Sequence, residues 1–151
     1  MLIAYLIAAA IICIDQLSKF LVYGTAARSI IGNVLWFEST LNTGVAFSMF
    51  SGNSVVFFII ACIASALIGY LIYSNKLIKS KAQKISLALI LGGTISNAID
   101  RIVFGGVRDF IYLKFMNFAI FNVADMAITI GAILLCVFIV FSKDRETNDR
   151  T

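Results

Sequence analysis

Two aspartates could carry out acid–base chemistry in this chain: Asp109 in "GGVRDF" and Asp125 in "FNVAD". Asp125 stands at the mouth of a segment whose next fifteen or so residues are almost all apolar. A charge near hydrocarbon costs several kcal/mol unless it is offset, which makes such a residue a functional candidate by default. Two carboxylates a few Å apart cannot both stay ionised cheaply, so they share a proton. The ionised member can then activate a water while the protonated member polarises a carbonyl, as in aspartic proteases. The plainer alternative is a solvated loop Asp109 and an Asp125 that merely caps a helix. Histidine is absent, which removes Ser-His and Cys-His nucleophiles and leaves acid–base work to carboxylates. The acids lack the His or Cys company that a zinc site wants, so no metal or other cofactor is expected.

Other polar residues keep the same company. Asp15 and Lys19 are spaced i, i+4 with the acid first, the favourable order on a helix; they form either a structural ion pair or, less simply, a contact to substrate. Asn97 and Arg101 repeat that spacing with Asp100 beside them, and could hold helices together or hold a substrate backbone. Asn122 and Asp125 are i, i+3, so both can face one cavity.

These residues need membrane helices to position them. The chain of 151 residues is 61% hydrophobic and 13% charged, against roughly 45–50% and 25% for soluble domains. Apolar runs near 2–23, 55–73, 85–104 and 119–141 are each long enough to cross a bilayer. This predicts an all-α membrane protein with a small β element, a single domain over 1–151. The first run lacks a cationic start and a small-residue cleavage site, and reads as a retained span. Lys76, Lys79, Lys81 and Lys84, with Lys143, Arg145 and Arg150 after the last span, place the middle loop and both termini in the cytoplasm. The ends of spans 1 and 3 and the start of span 4, where the polar residues sit, then meet at the outer leaflet. The inner halves (2–12, 85–91, 132–141) are nearly free of polar side chains, and a polar cavity open to the outside accounts for both facts.

Between the first two spans, "NVLWFESTLNTGVAFS" alternates and suggests short strands turning at Asn42-Thr43-Gly44, an amphipathic sheet on the membrane surface with Trp36 at headgroup level. After span 3, two glycines let the chain turn back and present Asp109 to the cavity. Gly92-Gly93-Thr94 and the ladder Ala61, Ser65, Gly69 read as close helix packing. Cys13, Cys62 and Cys136 read as buried free thiols. The net charge of +4 reflects topology, since no basic patch is interleaved with stacking aromatics for nucleic acid.

"DQLSK" (15–19), "NTGVAFS" (42–48), "GGTISNAIDR" (92–101), "GGVRDF" (105–110) and "FNVAD" (121–125) resemble, in order and spacing, the signature blocks of lipoprotein signal peptidase, or signal peptidase II. The resemblance implies four helices, a small outer sheet cradle between helices 1 and 2, and a monomeric aspartic endopeptidase of the bacterial cytoplasmic (inner) membrane. Its partners would be membrane lipids and a prolipoprotein, cut just before a cysteine that already carries diacylglycerol. Asp109 and Asp125 would be the catalytic dyad. Asn42, Asn97, Arg101 and Asn122 would hold substrate or support the dyad, and Asp15, Lys19, Asp100 and Gly44 would support the site. The chain departs from the family pattern at Ser96, where glycine is usual, at Met126, where a small residue is usual, and in lacking a proline before the fifth block.

Two other classes compete. A proton-relaying transporter would need polar residues through the inner halves of its spans, which are greasy here. A non-enzymatic assembly subunit would tolerate Asp→Asn.

Overall fold

Four long helices and three strands follow one another in the computed structural model, which describes residues 1–44, 52–74, 78, 80–116 and 118–148, with side chains to residue 140. Helix α1 spans Leu2–Val22; strands β1 (Arg28–Ile31) and β2 (Leu35–Asn42) precede α2 (Ser54–Tyr73). Helix α3 (Lys81–Phe104) leads into β3 (Val107–Leu113) and a short 3₁₀ turn, and α4 begins at Val123 and runs to Asn148. All four helices are long and apolar enough to cross a membrane, and the protein is a multi-pass membrane protein.

The helices are centred on α3. Half of its apolar window is buried, against 11–22% for the other three. Those three turn residues such as Leu2, Phe20, Val55 and Ile133 outward, as expected where the solvent is lipid. The cysteines share this outward orientation. Cys13, Cys62 and Cys136 are free and exposed on helix surfaces, not buried, because in a membrane protein an apolar run faces the bilayer as readily as it faces the core. Away from the sheet, α1, α2 and α3 close on a small core of Ala4, Ala8, Ile72, Leu87, Ala88 and Leu91. The close approach depends on small residues. A Cβ on Gly92 would stand 2.7 Å from the carbonyl oxygen of Ala8 in α1, and one on Gly93 would collide with the carbonyl oxygen of Ala124 in α4. In the α2 ladder, Ala61 is buried and the Gly69 carbonyl accepts a hydrogen bond from Tyr5, yet nothing lies within 4 Å of where a Gly69 Cβ would be.

Element boundaries differ from the hydropathy runs where polar residues decide them. Helix α3 starts at Lys81, so Lys81 and Lys84 belong to its first turn and not to a loop. Lys76, Lys79 and Arg150, the side chains of Lys143 and Arg145, and residues 45–48 of "NTGVAFS" lie outside the described part. Residues 119–122 are not helical. Phe121 instead forms an isolated bridge with Ile111, and Asn122 stands at the helix entrance.

The sheet has the order β1-β2-β3, antiparallel throughout. The β1–β2 connection lies at residues 32–34, and Asn42-Thr43-Gly44 ends β2. There the Gly44 N–H donates to Asn42 Oδ1 at 3.0 Å, an Asx-type turn. The strand beside β2 is therefore β3, from beyond α3. Gly105 makes this possible: it caps α3 in the left-handed region, at φ +70°, where other residues are strained.

Candidate active site

Asp109 is the third residue of β3, opposite Thr40 of β2, and only 2% exposed. It is not a solvated loop residue. The Phe110 and Ile111 N–H groups donate to the Phe121 carbonyl at 3.0 and 2.8 Å, and the Phe121 N–H returns a bond to Ile111. This clasp delivers Asn122, and α4 behind it, to the side of Asp109.

Asn122 then joins the two acids. Its Oδ1 accepts the Asp125 N–H at 2.9 Å, while Asp125 Oδ2 accepts the Asn122 N–H at 3.3 Å. That reciprocal pair is a capping box. The Asn122 side-chain amide also donates to Asp109 Oδ1 at 2.6 Å. Asp125 thus does cap a helix, and one asparagine holds both carboxylates at the same time. Burial first, and the Asp125 charge second, raise Asp109 from the ordinary 3.8 to about 7, outweighing the amide bonds from Asn122 and Asn42 and the more distant Lys19 charge that pull the other way.

The remaining asparagines serve the same pair. Asn97 donates to Asp125 Oδ1 at 2.8 Å, and Asn42 donates to Asp109 Oδ2 at 3.2 Å. Asn42, Asn97, Arg101, Asp109 and Asp125 share the wall of one cavity of about 760 Å³. Asn122, wholly buried, supports the acids from behind and does not line that cavity. Arg101 donates to the Gly44 carbonyl at the end of β2 at 3.4 Å and to the Asn97 carbonyl one turn back on its own helix at 3.3 Å. Apart from Thr94 and Thr129, the rest of the wall is apolar, with Ala61 from α2, Leu113, Phe118, Ile120, and Met126 and Ile130 from α4.

Asp15, Lys19 and Asp100 lie on the other side of α3, fully buried and away from the cavity. Asp15 Oδ2 meets Lys19 at 2.7 Å, and Asp100 Oδ2 meets it at 3.1 Å. Asp15 Oδ1 accepts the N–H of Ala124 in the first turn of α4, at 2.8 Å. Three further residues complete this cluster and were not singled out as candidates from the sequence. Arg108 pairs with Asp100 at 2.8 Å through its guanidinium and at 2.9 Å through its backbone N–H. Gln16 bridges Arg108, Asp100 and Ser96. Ser96 donates to Asp15 at 2.7 Å. The available signal was position: Gln16 follows Asp15, and Arg108 stands beside Asp109.

Residues 7–141 match the family model for signal peptidase II. The chain belongs to the signal peptidase II family. It is 42% identical to the lipoprotein signal peptidase of Geobacillus thermodenitrificans, with 95% of this chain and 93% of the relative covered. It is 41% identical to that of Listeria monocytogenes (95% and 96%) and 42% identical to that of Latilactobacillus sakei (84% and 82%). Among solved structures it resembles a bacterial membrane enzyme determined by the in meso method at 2.3 Å resolution, with TM-score 0.87 and 28% identity over 96% of this chain and 92% of that one. A second such enzyme, at 1.9 Å resolution, gives TM-score 0.82 at 30% identity over 92% and 93%. As a member of this peptidase family, the chain carries its polar cluster on a membrane scaffold of the same shape as those enzymes.

Proposed function

We propose that this protein is an aspartic endopeptidase that removes the signal peptide from diacylglyceryl-modified prolipoproteins, cutting before the lipidated cysteine. The observation that carries this reading is the joint hold of Asn122 on Asp109 and Asp125 at the wall of one cavity. The family and the names of the relatives support the substrate class.

In the proposed reaction, the ionised aspartate takes a proton from water as the oxygen attacks the scissile carbonyl. The protonated aspartate donates to the carbonyl oxygen, giving a neutral gem-diol. Proton return to the amide nitrogen breaks the C–N bond and restores the singly protonated pair. Asn42 and Arg101, on the cavity wall, bind the extended backbone, while Asn97 and Asn122 support the acids.

The chain acts as one integral membrane domain and as a monomer in the bacterial cytoplasmic membrane, with both termini inside. The sheet rests at the outer surface, where Lys114 lies 3.7 Å over the Trp36 ring, a pair suited to the headgroup region. A diacylglyceryl chain would keep the substrate's cleavage point at that depth.

The test is purified protein in detergent, incubated with a diacylglyceryl-modified prolipoprotein and with its unmodified form. Loss of the signal peptide from the modified form alone is expected. Equal cutting of both forms, or of neither, contradicts the reading.

A further inference from the structure

Lys19 never reaches the cavity, yet its three donor hydrogens face three acceptors: Asp15 Oδ2 at 2.7 Å, Asp100 Oδ2 at 3.1 Å and Asn97 Oδ1 at 3.0 Å. An ammonium can only donate. Asn97 must therefore turn its oxygen to Lys19 and its NH₂ to Asp125 Oδ1.

The other amides are fixed in the same manner. The Asp125 backbone N–H holds the Asn122 oxygen, so the Asn122 NH₂ points at Asp109 and at the Asn97 oxygen. The Gly44 N–H holds the Asn42 oxygen, so the Asn42 NH₂ points at Asp109. None of the three amides can flip without facing donor to donor.

We propose that Lys19 is a positioning residue: acting through Asn97, it places the negative charge on Asp125, the water-activating member, and leaves the shared proton on Asp109. The inference rests on the peptidase reading above. Asp125 also lies in the first turn of α4, where the helix dipole favours an anion, whereas Asp109 lies on a strand. The charges around Lys19 are Asp15 on its own helix, Asp100 and Arg101 from α3, Asp109 and Arg108 from β3, and Asp125 from α4. Lys19 and Arg108 balance Asp15 and Asp100, so the ammonium is felt at Asp125 chiefly through the orientation it imposes on Asn97. The raised value of Asp109 agrees with this division.

The test compares pH profiles of cleavage for wild type, Lys19→Met, and the charge-balanced double variant Asp15→Asn/Lys19→Met, with folding followed by thermal unfolding in detergent. In the double variant Asn can still accept from Ala124, and Asp100, which loses Lys19, keeps its ion pair with Arg108. The acid limb of kcat should move to higher pH by about one unit in Lys19→Met and by roughly half a unit in the double variant. KM should stay put, because Lys19 lies outside the cavity, while kcat on the acid limb of Lys19→Met falls about tenfold, the loss that a one-unit shift produces there. A folded variant with an unmoved acid limb overturns the proposal, as does failure of both variants to fold, for Lys19 would then serve the fold alone. A wild type inert on modified prolipoprotein would strike the peptidase reading instead, whereas an active wild type with an unmoved limb in the variants strikes only this inference.

Discussion

Gly93 of α3 packs directly on the backbone of Ala124 in α4, so closely that a Cβ would collide with the Ala124 carbonyl oxygen. One turn further along α3, Asn97 makes its 2.8 Å hydrogen bond to Asp125, the neighbour of Ala124. The missing side chain at Gly93 therefore sets the separation at which Asn97 can reach Asp125. Gly93→Ala should force the helices apart, destabilise the protein by about 1–3 kcal/mol and depress cleavage more than stability explains. Thermal unfolding and rate measured on the same sample check this. Wild-type activity in the variant would show that the helix spacing does not matter to the site.

The acid pair also makes a prediction about pH. Asp109 is held up at about 7 by burial and by Asp125, whereas an unfolded chain releases that proton near the ordinary carboxylate value. The folded state binds the proton more tightly, so the stability Asp109 contributes is full below about pH 4, declines toward pH 7 and is flat above. Loss of the same proton removes the acid needed for catalysis, so cleavage should fall as pH rises through about 7. Asp109→Asn cannot lose a proton. Its Tm relative to wild type should therefore be higher at pH 8 than at pH 5. An equal difference at both values would contradict a raised Asp109.

How much of this was legible in the sequence depended on the range of each interaction. The i, i+4 spacing of Asp15 and Lys19 is local, and the structure makes them a buried ion pair that lies behind the cavity wall at Asn97. The capping box of Asn122 and Asp125 is equally local. The strand carrying Asp109 was not legible: "VRDFIYL" finds its partner in β2, a whole helical hairpin earlier in the chain, and no periodicity in seven residues announces that pairing. The roles of Arg108 and Gln16 depend on the same long-range closure, since each needs Asp100 beside it. The cysteines were misread because hydropathy cannot tell a helix face turned to lipid from one turned to protein.

The most direct test of the central claim is the cleavage rate of diacylglyceryl-modified prolipoprotein by Asp109→Asn and by Asp125→Asn, each shown by thermal unfolding in detergent to be folded. Both substitutions preserve size and one acceptor oxygen while removing the ionisable group; each costs one hydrogen bond, because the new NH₂ faces a donor. Each should lower kcat by at least about a thousandfold. A near wild-type rate from either folded variant would contradict the account.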